Sequence, residues 1–78
     1  MTSQVVTLYT QSGRMFCDRV KEFLSQKGVD FSERDITLDG QAIAELDELG
    51  YLTTPVTVID GEVVVGFDRE RLDELLDG

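Results

Sequence analysis

Leu8-Tyr9-Thr10-Gln11-Ser12-Gly13-Arg14-Met15-Phe16-Cys17-Asp18 is the stretch on which the reading of this 78-residue chain turns. It closes an apolar, β-branched run and opens a helix whose first turn carries the sole cysteine, three residues after an arginine. Upstream, Val5 to Thr10 has apolar residues on both faces, Val5 and Tyr9 on one and Val6 and Leu8 on the other, as a central strand covered on two sides requires. Downstream, Gln11-Ser12-Gly13 reads as a turn, with Ser12 or Gly13 capping a helix over about Arg14 to Lys27. That helix aligns Phe16 or Cys17 with Val20, Phe23 and Leu24 on one stripe. It leaves Asp18, Lys21, Glu22 and Gln26 outside and closes at Gly28.

Beyond this helix, Val29 to Ile36 is a more polar strand carrying Glu33, Arg34 and Asp35, which suits a sheet edge. The helix that joins it to the first strand implies parallel pairing with a right-handed crossover. Asp39 is positioned to cap a second helix over Gln41 to Leu49, with Ile43, Leu46 and Leu49 facing inward and Gly50 ending it. Tyr51 to Thr54 is a loop leading to Pro55, the chain's sole proline. Val56–Ile59 and Glu62–Val65 are β-branched runs separated by Asp60-Gly61, the signature of an antiparallel hairpin with a type I′ turn. Gly66-Phe67-Asp68 leads into a last helix capped by Asp68, with Leu72, Leu75 and Leu76 inside. The expected architecture is α/β in the order β-α-β-α-β-β-α, a four-stranded mixed sheet with helices on both faces. No repeat, linker or low-complexity tract interrupts it, so residues 1–78 are read as one domain.

Composition narrows the function. A domain of this length buries only about 60 to 65% of the surface its unfolded chain exposes, so its core must be compact and continuous. Apolar residues at 41% and charged residues at 29% give a globular balance. Sixteen acidic against seven basic residues leave a formal charge of -9, which disfavours nucleic acid and anionic membrane surfaces as partners. One cysteine cannot make an internal disulfide, and no apolar run approaches the roughly 18 residues of a membrane span. The start, Met1-Thr2-Ser3-Gln4, has neither the basic nor the long apolar region of a leader peptide, so a cytoplasmic location is the default expectation. Histidine is absent and no tight cluster of metal-ligating residues is present, so no metal site is expected.

The element order, the strand-turn-helix from Tyr9 to Cys17 and Thr54-Pro55 directly before a hairpin strand resemble the thioredoxin fold. More narrowly, the chain is similar to glutaredoxin-family redoxins. The matching pieces are Leu8-Tyr9-Thr10, Phe16-Cys17, Lys21-Glu22-Phe23-Leu24, Lys27-Gly28, Thr54-Pro55-Val56, Ile59-Asp60-Gly61 and Val65-Gly66-Phe67-Asp68. Gly66-Phe67-Asp68 looks closer to the NrdH-redoxins that reduce ribonucleotide reductase than to glutathione-dependent glutaredoxins. The resemblance implies a cis peptide before Pro55 and a groove in which the neighbouring backbone pairs with a peptide or glutathione as an added strand. Arg14, Phe16, Thr54, Pro55, Gly66, Phe67 and Asp68 would line it. Packing by Phe67 and capping by Asp68 account for those two without a ligand.

The departure from the family pattern is as informative. With Cys17 aligned on the second cysteine of the C-x-x-C motif, Arg14 stands where the attacking cysteine belongs. Dithiol exchange needs one thiolate to attack and a neighbouring thiol to resolve the mixed disulfide. A chain with R-x-x-C cannot complete that cycle. Cys17 carries two readings: a thiol activated by the helix N-terminus and Arg14, or a shielded and inert core residue. Arg14 likewise reads as a grip for a carboxylate or phosphate, or as a cation tolerated on the surface. The resemblance therefore implies a peptide- or thiol-ligand-binding module with lost or altered redox activity. The alternative is a working thiol-disulfide oxidoreductase that uses Cys17 alone. Partners would be a protein thiol or disulfide, or glutathione, with no other cofactor; the chain is expected to be a monomer, with a Cys17-linked dimer as a further reading.

Overall fold

The computed structural model describes residues 4–76. The chain start from residue 1 to 3, on which the leader reading partly rested, lies outside the described residues. Seven elements follow in the expected order: β1 (Val6–Thr10), α1 (Met15–Gln26), β2 (Ser32–Asp35), α2 (Gly40–Glu48), β3 (Val56–Ile59), β4 (Glu62–Val65) and α3 (Arg69–Leu75). The strands lie in one sheet of order β2-β1-β3-β4. β1 pairs parallel with β2 and antiparallel with β3, and β3 pairs antiparallel with β4. The polar strand is thus at the edge, where its charged side chains remain in contact with water.

Alternation along the strands sorts the core into two layers. Val6 and Leu8 of β1, Ile59 of β3 and Val64 of β4 point to one face, where they meet Val20, Phe23 and Leu24 of α1, Leu72 of α3 and Leu76 just past it. Tyr9 and Val56 point to the other, against Ala42 and Leu46 of α2. Full burial of each aliphatic side chain contributes roughly 1.5 to 3 kcal/mol, so the α1/α3 layer carries most of the hydrophobic stabilisation. The hairpin turn takes its φ > 0 residues from Asp60 and Gly61, at 49° and 88°, as a type I′ turn demands. Asp60 also closes the sheet's far end: its carboxylate accepts from the Val5 N–H at 2.9 Å.

Several boundaries and facings differ from the sequence reading. Arg14 is not in α1 but is its N-cap, with extended backbone, and neither Ser12 nor Gly13 caps the helix. Ser12 instead donates its hydroxyl to Asp35, 2.7 Å away, a partner 23 positions along the chain that no local pattern announces. β2 covers only Ser32–Asp35, because Val29 and Phe31 pack beside the core without joining the ladder. On α2 the inward residues are Ala42 and Leu46, whereas Ile43 is 52% and Leu49 38% exposed. Small Ala42 lets the helix sit close to Tyr9 and Val56, which turns Ile43 out of the interface. Of the apolar residues of α3, Leu72 is buried and Leu75 half-buried. Val5, expected on a covered face, precedes β1 and is exposed.

Candidate functional site

The register places Tyr9 beside Val56 and Val56 beside Val65 in one row across β1, β3 and β4. The segments just beyond that row therefore share one end of the sheet: the loop 11–14 after β1, Thr54-Pro55 before β3 and Gly66-Phe67-Asp68 after β4. This topology brings together Gln11, Thr54, Pro55 and Gly66, which are far apart in sequence, and Arg14 ends the same loop as Gln11. Direct bonds tie the loops. The Gly66 N–H donates to the Pro55 carbonyl at 2.8 Å, and the Thr54 hydroxyl donates to the Gln11 side-chain oxygen at 3.4 Å. The Thr54-Pro55 peptide bond is cis, as the resemblance implied.

The backbone of Thr54 makes no backbone hydrogen bond among the described residues, although its side chain and Pro55 are buried. A main-chain N–H and C=O left outside the ladder, just before an interior strand begins, is what an added extended segment would pair with. Below this loop, Thr57 is fully buried between Leu8 and Val64, and its hydroxyl oxygen has no hydrogen-bond partner among the described residues.

At the start of α1 the polarity is set by three features. Arg14 provides no side-chain cap, so the amides of the first turn lack the acceptor that Ser, Thr, Asp or Asn would offer. Its own guanidinium is exposed and has no carboxylate partner among the described residues. The helix N-terminus adds partial positive charge to that of the arginine. Met15 and Phe16 are exposed at 67% and 59%, while Cys17 turns inward and is only 2% exposed. Of the two stripe assignments left open for this turn, the inward one belongs to Cys17.

Phe67 and Asp68 leave the shared end. Phe67 turns towards the α1/α3 layer and meets Phe23 edge to face, with centroids 5.9 Å apart and planes at 73°. Asp68 caps α3, accepting from the Arg71 N–H at 3.2 Å. Local packing and capping thus account for both side chains. Sequence reasoning did not find Gln11, Ser12, Asp35 or Thr37 as supports of the site. Asp35 accepts from the Thr37 hydroxyl and N–H and from Ser12, and these bonds, with the Thr37 hydroxyl foremost, hold its carboxyl below the usual range. They pin the loop before α1 to the end of β2. A Ser-Gly turn facing an Asp-x-Thr pair offers only a weak signal, because it needs the β1–β2 register to connect them.

Among the described residues no group of three or more His, Cys, Asp or Glu side chains could hold a metal ion, and no helix is long and apolar enough to cross a membrane. Residues 6–64 match the glutaredoxin family model. The chain is 36% identical to the gene 56 protein of Mycobacterium phage L5, over 92% of this chain and 72% of that one. It is 30% identical to the glutaredoxin-like protein NrdH of Lactococcus lactis subsp. cremoris, over 91% of this chain and 99% of that one. Among solved structures, the thioredoxin-like protein BC3987 superposes with a TM-score of 0.86 at 42% identity, covering 91% of this chain and 99% of its own.

Proposed function

The chain belongs to the glutaredoxin family and has the thioredoxin fold, and from that premise we propose that it is a binding module of the family whose dithiol activity is lost or altered. The observation that carries this reading is the split between positions 14 and 17. The exposed place at the start of α1 is held by a cation, and the sole thiol lies behind it at 2% exposure. A buried thiol cannot approach a substrate disulfide in line, and no second thiol is present to resolve a mixed disulfide.

The ligand is an extended peptide or glutathione, held at the end of the sheet shared by Thr54-Pro55 and Gly66. The free backbone groups of Thr54 pair with it as an added strand, and the Gly66–Pro55 bond keeps that end in place. Arg14 and the uncapped amides of α1 fit a carboxylate or thiolate of either ligand. Glutathione, when bound, brings the thiol chemistry that this chain lacks at position 14; the chain's own residues bind and orient it. Exposed Met15 and Phe16 extend the rim of the groove with apolar surface for a protein partner.

The decisive experiment is Arg14→Cys. In the parent protein, reduction of a mixed glutathione disulfide is expected not to exceed that of a Cys17→Ser control. In the variant, turnover is expected to appear, because the C-x-x-C spacing is restored on an intact scaffold. Turnover by the parent protein that depends on Cys17 would instead establish the single-thiol oxidoreductase. A folded variant with no turnover would show that the groove no longer binds thiol substrates.

A further inference from the structure

The seven basic residues divide into two sets. Lys21 pairs with Asp18 and Glu33, Lys27 with Asp73, Arg34 with Asp39 and Glu45, and Arg71 with Glu62 and Glu74. Arg14, Arg19 and Arg69 have no ion pair among the described residues, in a chain with sixteen carboxylates. Two of these three, Arg19 and Arg69, line the same open groove, about 290 Å³ in volume, between α1 and the start of α3. Its other walls are Glu22, Phe23, Gln26 and Phe67.

The groove has an aromatic floor. Phe23 and Phe67 meet edge to face there, and the Arg69 guanidinium lies 5.8 Å from the Phe23 centroid, held by the ring's electron-rich face. Glu22, the acidic group best placed to neutralise Arg19, accepts instead from the Gln26 amide at 3.3 Å. Arg69 is flanked in sequence by Asp68 and Glu70, yet Asp68 caps the helix and Glu70 forms no pair with it among the described residues. Arg69 also opens α3, where the macrodipole disfavours a cation. Neither arginine is paired with a carboxylate among the described residues; Arg69 rests on the Phe23 ring, over which the Lys27 ammonium also lies, 5.6 Å from the centroid.

We infer that this groove is a docking surface for an acidic peptide segment of a partner protein. Two carboxylates of the segment reach Arg19 and Arg69, and an apolar or aromatic side chain between them packs on half-buried Phe67, beside the buried Phe23. The charge pattern selects this occupant. The net charge of -9 opposes anionic partners at long range, and most strongly a second copy of the chain or a nucleic acid, which bring many charges; a short segment brings few, and Arg19 and Arg69 outnumber the one carboxylate, Glu22, that lines the groove. The surface lies on the α1/α3 side, apart from the Thr54-Pro55 end, so it holds whether or not the reading of that end is right.

The test uses the full chain and a fluorescein-labelled hexapeptide, Asp-Glu-Phe-Asp-Glu-Leu, followed by anisotropy and by amide NMR at low and at physiological salt. The expected result is binding that weakens with salt, amide shifts centred on Arg19, Phe23, Phe67 and Arg69, and a loss of about tenfold or more in affinity in Arg19→Ala/Arg69→Ala. A neutral Asn-Gln-Phe-Asn-Gln-Leu peptide should not bind, and binding as tight as that of the acidic peptide would overturn the proposal. The proposal is overturned by unchanged affinity in the double variant, or by shifts centred on Thr54 and Gly66. It is equally overturned if Arg14→Ala weakens the peptide as much, since bulk charge would then be responsible. A sedimenting dimer that the double variant abolishes would also overturn it, by assigning the groove to a second copy.

Discussion

The two faces of the sheet are built on different principles. The α1/α3 face is a dry layer of nine buried apolar residues reaching from Val6 to Leu76, with Phe67 packed against it. Among the described residues the α2 face buries a smaller cluster, Tyr9, Ala42, Leu46 and Val56, and it is finished by polar bonds. The Tyr9 hydroxyl donates to Glu45 at 2.9 Å, and Arg34 donates to the other oxygen of Glu45 at 2.9 Å while lying 3.5 Å from Asp39. One face is therefore held by volume and the other by placement. The difference matters for function because α1, which presents Arg14 and buries Cys17, is anchored on the apolar face, whereas α2 is fixed by half-exposed ion pairs.

Truncation is the harshest way to break the comparison. Leu24→Ala or Leu72→Ala, at 0% exposure in the larger layer, should cost about 3 to 5 kcal/mol, and Leu46→Ala on the α2 face about 2 to 3, read from urea unfolding midpoints. Equal losses would show that both faces are sustained by packing alone. A smaller effect comes from Glu45→Ala, which strands the Tyr9 hydroxyl and leaves half-buried Arg34 with Asp39 alone, and should cost about 1 to 2 kcal/mol. The double variant Glu45→Ala/Arg34→Met should recover part of that loss, since both ends of the ion pair are then removed.

Arg14→Asp sharpens the comparison in the opposite direction. It supplies the missing cap of α1 and should stabilise the fold by about 0.5 to 1 kcal/mol while weakening glutathione or an anionic peptide at the proposed groove. A gain in stability with no change in binding would remove Arg14 from the site. The gentlest probe is pH. Burial first, and then the bond to Glu45, raise the Tyr9 phenol above its ordinary value of 10.0, so folding favours the neutral form. That contribution is complete below about pH 10 and is lost as the pH climbs through the folded value. Tyr9→Phe should flatten the alkaline limb of the stability curve, and an unchanged limb would show that folding does not favour the neutral phenol.

Much of this was legible in the residues. Two-residue periodicity and Asp60-Gly61 gave the hairpin, the polar strand marked the edge, and Asp39 and Asp68 announced two helix starts. The third start was misread, because Ser12 has the chemistry of a cap but a stronger partner in Asp35. The facing of α2 was misread because Ile43 and Leu49 satisfy a helical stripe as well as Ala42 does, and hydrophobicity alone undervalues a small residue at a close contact.

By itself, then, the sequence determined the element order, the family pattern, the absence of a second thiol and the presence of a cation at position 14. These are properties of residue type and spacing along one chain. Only the tertiary structure decided that Cys17 is enclosed, that the Thr54 backbone is left without a backbone partner among the described residues, and that Arg19 and Arg69 line one groove. Such facts depend on which surfaces face each other once strands 40 or more residues apart pair in one register, as Val6 and Ile59 do. No local signal carries that information, because it comes into being only with the burial of the core.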